Sequence, residues 1–135
     1  MSDITLDGMV TFVYSSDLDA STRFYEQALG LSLALDQGSC KIYKVIDGAY
    51  LGVCQCKDVE AFAGPSDDVI LTIVTQEVDQ MYRRLIQAQA HVEDEPRLNP
   101  RFGIYHFFAR DPTGWRIEVQ RFVSPDLPGV RATPK

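Results

Sequence analysis

Two residues of this sequence carry chemistry inside otherwise apolar segments. Glu118 lies in Asp111-Pro112-Thr113-Gly114-Trp115-Arg116-Ile117-Glu118-Val119-Gln120, and His106 in Ile104-Tyr105-His106-Phe107-Phe108-Ala109. A carboxylate can ligate a hard metal ion, take a proton or bind a cation, and an imidazole can ligate or exchange a proton near neutral pH. In the first segment Pro112 and Gly114 supply turn chemistry. The alternation that follows sets Arg116, Glu118 and Gln120 on one strand face and Ile117 and Val119 on the other. The competing reading of Glu118 is a solvent-facing side chain on a half-buried strand, and that of His106 a hydrogen-bonded structural residue. Phe12 and Tyr14, at i and i+2, and Phe108 are candidates for a stacking platform, with core packing as the alternative.

The elements that must position these residues read as one unit written twice. Met9 to Tyr14 is an apolar, β-branched and aromatic strand; Ser16-Asp17-Leu18-Asp19 opens a helix with an acidic residue three positions after the Ser, and Gly30 stops it. Phe24, Tyr25 and Ala28 supply that helix's packing face. Strands follow near Leu31 to Leu35, Lys41 to Ile46 and Tyr50 to Cys56, with an Asp47-Gly48 turn before the last. After Gly64-Pro65-Ser66 the order restarts with a strand over Val69 to Val74 and a helix carrying Val78, Met81, Tyr82, Leu85 and Ile86. A short strand near His91 to Glu93, a polar loop through Pro96 and Pro100, a strand from Ile104 to Ala109 and the Glu118 strand complete it. The helix entries Asp17-Leu18-Asp19 and Glu77-Val78-Asp79 are offset by about 60 positions, and the turns Asp47-Gly48 and Thr113-Gly114 by about 66.

Two β-α-β-β-β units this small cannot each bury a full core, so the expected fold is α+β. Two paired βαβββ modules would form a concave mixed sheet with helices on the outer faces. The expected single domain spans 1–135, with module one at about 8–60, module two at about 67–122 and a C-terminal arm at 123–135. Period-2 alternation assigns the concave lining to Val10, Phe12 and Tyr14, to Ile70, Thr72 and Val74, to His106 and Phe108, and to Arg116, Glu118 and Gln120.

Composition narrows the partner class. The net charge of −6 argues against nucleic acid, whose phosphates draw on clustered Lys and Arg, and suits a neutral or cationic small molecule. No apolar run reaches bilayer-spanning length and the N-terminus has no secretory pattern, so the expectation is a cytoplasmic protein without a membrane partner. Cys40, Cys54 and Cys56, odd in number and without Cys-x-x-Cys spacing, read as reduced, small strand residues.

The segment Asp17-Leu18-Asp19-Ala20-Ser21 leading to Phe24-Tyr25-Glu26-Gln27-Ala28-Leu29-Gly30-Leu31 is followed later by Asp111-Pro112-Thr113-Gly114 and Ile117-Glu118-Val119. Together these resemble the glyoxalase / bleomycin-resistance / extradiol-dioxygenase superfamily, the vicinal oxygen chelate proteins, over about residues 8 to 122. The resemblance implies a homodimer. In metal-dependent members of that family four strands each give one ligand to a divalent ion, and by motif spacing those positions here are Val10, Gly52, Ile70 and Glu118. Only Glu118 has a donor side chain, so the resemblance implies a metal-independent binder of a partly aromatic or cationic organic molecule, without a cofactor. Its expected contacts are Phe12, Tyr14, Thr72, His106, Phe108, Arg116, Glu118 and Gln120. The alternatives are a lyase, isomerase or dioxygenase resembling lactoylglutathione lyase, with a divalent metal ion and with Glu118 and His106 catalytic, and a catalytically silent relative that binds a protein partner.

Overall fold

The structure, a computed structural model, describes residues 3–123; the expected arm from 124 onward lies outside the described residues. The chain divides after Ala63 into two compact units, each holding one mixed sheet, of four and five strands, and few helices.

In the first unit β1 (Met9–Ser15) leads into α1 (Leu18–Thr22), which runs on as a π-helical segment over Arg23–Ala28. The sheet is completed by β2 (Ser32–Asp36), β3 (Cys40–Ile46) and β4 (Ala49–Gln55), in the order β1-β4-β3-β2, with β1 and β4 parallel. The helix cap is Asp17 rather than Ser16: its extended backbone frees the carboxylate to accept from Ala20 N–H at 3.2 Å. Gln55 adds a second cap from β4, its Oε1 accepting from Leu18 N–H at 2.8 Å and its Nε2 donating to the Ser16 carbonyl at 3.1 Å. Such a side-chain bond across 37 positions has no local signature in sequence. Gly30 ends the helix at φ 79°, where an L side chain would be strained.

The helical side of this sheet holds Val13, Leu51, Val53, Tyr43, Phe24, Tyr25 and Leu29, all buried. Tyr25 and Tyr43 stack with centroids 5.9 Å apart, and Tyr43 donates to Glu26 Oε2 at 3.0 Å. Burial, together with the Glu26 carboxylate, pushes the Tyr43 phenol from 10.0 up to about 12. A raised acid favours the folded state while neutral, so this contribution is whole below pH 10 and is lost as pH rises toward about 12. Tyr43→Phe should therefore show a shallower fall in stability across that window than the parent; parallel curves in urea unfolding at stepped alkaline pH would refute it.

Cys40 and Cys54 face each other in the β3–β4 register and form a disulfide, with Cα atoms 4.0 Å apart. This corrects the expectation of three reduced cysteines. The spacing signal looks for local motifs, whereas antiparallel pairing brought together residues 14 positions apart. Cys56 is free and buried.

The second unit repeats the plan. β5 (Ile70–Val74) precedes α2 (Val78–Gln87), then β6 (His91–Val92), β7 (Arg97–Asn99), β8 (Ile104–Arg110) and β9 (Arg116–Phe122). The order is β5-β9-β8-β6, with β7 also pairing β8 and β5 parallel to β9. β7 occupies part of the stretch expected to be loop: between two prolines, Arg97–Asn99 is too short to show periodicity, and its pairing with His106–Ile104 is what extends it. α2 buries Val78 and Leu85, and Tyr82 meets Phe107 edge-on at 5.4 Å, over Phe107, Ala109, Ile117 and Val119. No described helix is long and apolar enough to cross a membrane.

Candidate functional site

The face of the second sheet turned away from α2 collects the chemistry. Register places Thr72 and Phe108 on either side of Glu118, and His106 opposite Gln120. Thr72, His106, Phe108, Arg116, Glu118 and Gln120 therefore share one side of β5, β9 and β8, because paired residues in a pleated sheet point the same way.

Glu118 is 8% exposed and held at both oxygens: Thr72 Oγ1 donates to Oε1 at 2.9 Å, and His106 Nδ1 lies 2.6 Å from Oε2. An ionised carboxylate only accepts, so toward one the Nδ1 atom is the donor. This overturns the reading of Glu118 as a solvent-facing strand residue. The same β9 alternation that exposes a side chain at a sheet surface here aims it at two partners on neighbouring strands.

His106 is 9% exposed and meets Phe108 edge-on at 5.1 Å. The Arg116 guanidinium lies 3.8 Å from the Phe108 centroid, a cation–π contact, and also reaches Glu93 at 3.4 Å. Arg110 is tied to Glu93 and Asp67, both at 2.7 Å. Burial alone would raise the Glu93 carboxyl, but the Arg110 and Arg116 guanidiniums outweigh it and hold the group below its ordinary value. Both arginines are thus engaged away from Glu118.

Next to this cluster is a cavity of about 250 Å³ lined by Asp94, Glu95, Arg97, Asn99, His106, Phe107 and Phe108. Two carboxylates and one guanidinium make its charged lining net acidic. Asp94, Glu95, Arg97 and Asn99 escaped sequence reasoning, since the segment through Pro96 and Pro100 read as a polar loop; the charge run Glu93-Asp94-Glu95 was the available signal.

In the first unit Val10, Phe12 and Tyr14 point away from the helix, the two aromatics 54% and 56% exposed. Phe12 pairs with Gly52, and a Cβ at Gly52 would fall 2.4 Å from two Phe12 ring carbons. The ring rests on bare backbone, which explains a glycine in mid-strand. Tyr14 borders a cavity of about 390 Å³ with Cys56, Lys57, Asp58, Ala61 and Phe62.

The donor set does not fit the divalent ion of metal-dependent relatives. Val10 and Ile70 have no donor atom and Phe12 fills the space any side chain at Gly52 would need, which leaves Glu118 as the single donor among the four positions. Among the described residues no group of three His, Cys, Asp or Glu is placed to hold an ion.

Comparison with known proteins agrees with the duplicated architecture. The chain is 30% identical over 110 residues to the metallothiol transferase FosB of Lysinibacillus sphaericus (strain C3-41), covering 76% of this chain and 73% of the relative. Its fold is similar to a glyoxalase / bleomycin resistance protein / dioxygenase from Nocardioides, with a TM-score of 0.69, 20% identity and coverage of 98% and 92% of the two chains. It is also similar to lactoylglutathione lyase from Agrobacterium tumefaciens, with a TM-score of 0.62, 25% identity and coverage of 84% and 91%. The family model matches residues 8–119, and the chain belongs to the glyoxalase/bleomycin resistance protein/dioxygenase superfamily.

Proposed function

We propose that this protein binds a small, partly aromatic or cationic organic molecule without a metal ion, at the face carrying Thr72, His106, Phe108, Arg116, Glu118 and Gln120. The observation that carries the reading is the Glu118 carboxylate, fixed by Thr72 and His106 beside an acidic cavity of about 250 Å³. A carboxylate already held in position loses little freedom when a ligand cation arrives. The planar cation of Arg116 lying on the Phe108 ring supports a planar or cationic ligand class. Phe12 and Tyr14, exposed on the first unit's sheet, are proposed as stacking residues. We further propose a cytoplasmic homodimer; the outer edge strand β2, with Leu33 and Leu35 exposed, supports self-association.

The second reading is enzymatic, favoured by the similarity to FosB and lactoylglutathione lyase and by the His106–Glu118 pair, which is arranged for proton transfer. One experiment separates the two. A thermal-shift screen of planar and cationic compounds should give hits that persist in EDTA. For such a hit Glu118→Gln should weaken binding by about 1–3 kcal/mol, the range for a lost charge-assisted bond, and Tyr14→Ala should also cost affinity. Hits abolished by EDTA and restored by a divalent ion would favour the metal enzyme. Equal affinity of the parent and Glu118→Gln, both folded, would remove Glu118 from the site.

A further inference from the structure

The register of β7 and β8 fixes which side chains enter the cavity of about 250 Å³. Arg97 pairs with His106 and Asn99 with Ile104, so Arg97, Asn99, His106 and Phe108 point to one side of the sheet. Asp94 and Glu95 line the same cavity from the connection between β6 and β7. Its volume is below the roughly 300–1,000 Å³ of sites that enclose a drug-sized molecule, so it suits one end of a ligand. The polar groups around it are unequally satisfied. Arg97 donates to Asp94 Oδ1, which joins the guanidinium and one carboxylate into a neutral pair. Glu95 has no hydrogen bond or ion pair among the described residues, and its charge is left without a partner. His106 is 9% exposed and bonded through Nδ1 to Glu118. Its Nε2 has no partner among the described residues and is not sealed from solvent, so it opens on the cavity that His106 lines.

A neutral imidazole whose Nδ1 donates to an ionised carboxylate has its lone pair at Nε2. The cavity then offers one acceptor and one uncompensated negative charge, and the ligand group that answers both is a cation carrying N–H. On the basis of the binder reading of this face, we propose that the cavity is the subsite for a primary or secondary ammonium. An N–H bond to His106 Nε2 and the charge of Glu95 hold it, with the ligand's apolar part against Phe108. A primary ammonium has three donors, so it can bond Nε2 and still turn an N–H toward Glu95. A quaternary ammonium has the same charge and no N–H, and cannot.

Benzylamine, benzyltrimethylammonium and benzyl alcohol share a ring and differ in the group under test. Each is titrated into the full chain by NMR at about pH 8, where imidazoles are ordinarily neutral and alkylamines charged. Fragments of this size bind at about millimolar strength, within reach of such a titration. Benzylamine should bind the parent about tenfold more tightly than either companion, the factor for one charge-assisted hydrogen bond. Glu95→Gln, at an exposed position, should weaken benzylamine about threefold, the size of a partly screened charge contact, and leave benzyl alcohol unchanged. Benzylamine should also move the Nε2 ¹⁵N signal of His106, while that of His91, the second histidine, on exposed β6, stays in place. Benzyltrimethylammonium binding as tightly as benzylamine, with the His106 signal unmoved, would overturn the ammonium subsite and leave the wider binder reading standing. A folded Glu95→Gln that binds benzylamine as the parent does would overturn it equally. Failure of all three to bind would also overturn it, and the wider reading falls only if the screen of planar and cationic compounds is empty too.

Discussion

Replacing Asp111 by Ala is expected to destabilise the protein by about 3–5 kcal/mol and to lower its Tm by roughly 10 °C or more. Asp111 is 4% exposed, and its Oδ1 accepts from the backbone N–H groups of Thr113, Gly114 and Trp115 at 2.9, 2.8 and 2.8 Å. Hydrogen bonds to a charged acceptor each contribute about 1.5–3 kcal/mol, and three that share one oxygen add to less than their sum. Removing the carboxylate takes one shared acceptor oxygen from three N–H groups of a tight turn, of which Gly114 N–H, at φ 111°, keeps the Asp111 carbonyl at 2.9 Å. Asp111→Asn keeps an acceptor oxygen and should cost about 1 kcal/mol, since only the charge is lost. Thermal unfolding of the three proteins checks this. A Tm for Asp111→Ala within about 2 °C of the parent would mean that the turn holds itself without the side chain.

The second large effect separates the structural from the binding role of Glu118. Glu118→Ala should cost about 2–4 kcal/mol of stability, because it leaves the buried His106 Nδ1 and the Thr72 hydroxyl unpaired. Glu118→Gln should cost no more than about 1.5 kcal/mol. Its amide oxygen still accepts from Thr72, and its NH₂ can donate to the Nδ1 of the other His106 tautomer. Urea unfolding with unchanged m-values checks the ordering, and equal losses in the two variants would show that the charge, not the bonding pattern, holds the cluster. A folded Glu118→Gln that binds ligand poorly would then report on recognition alone.

Much of the site was legible in sequence because period-2 alternation is a local property. Once the strand at Arg116–Phe122 was recognised, Glu118 had to share a side with Arg116 and Gln120, and the structure places all three there. The same logic put His106 with Phe108 and Phe12 with Tyr14, opposite the buried sets Phe107, Ala109 and Val13. The duplication was legible too: α1 begins at Leu18 and α2 at Val78, as the offset of the two helix entries required.

What sequence could not determine was which side chain meets which, because side-chain bonds form across strands that sequence lists far apart. Sequence made Glu118 a candidate ligand to a metal or a cation; β5, β8 and β9 together gave it Thr72 and His106, 46 and 12 positions away. The partners of Arg116 and Arg110 were hidden for the same reason, since Phe108, Glu93 and Asp67 take those guanidiniums. Gly52 read as a missing ligand, yet only the parallel β1–β4 register shows Phe12 lying on it. The cysteines read as three separate small residues until antiparallel pairing joined Cys40 to Cys54. Alternation and turn chemistry depend on neighbours in the chain, so sequence by itself determined the elements and their faces. Register and burial depend on which strands come to lie together, so the tertiary structure alone decided the partners within each face.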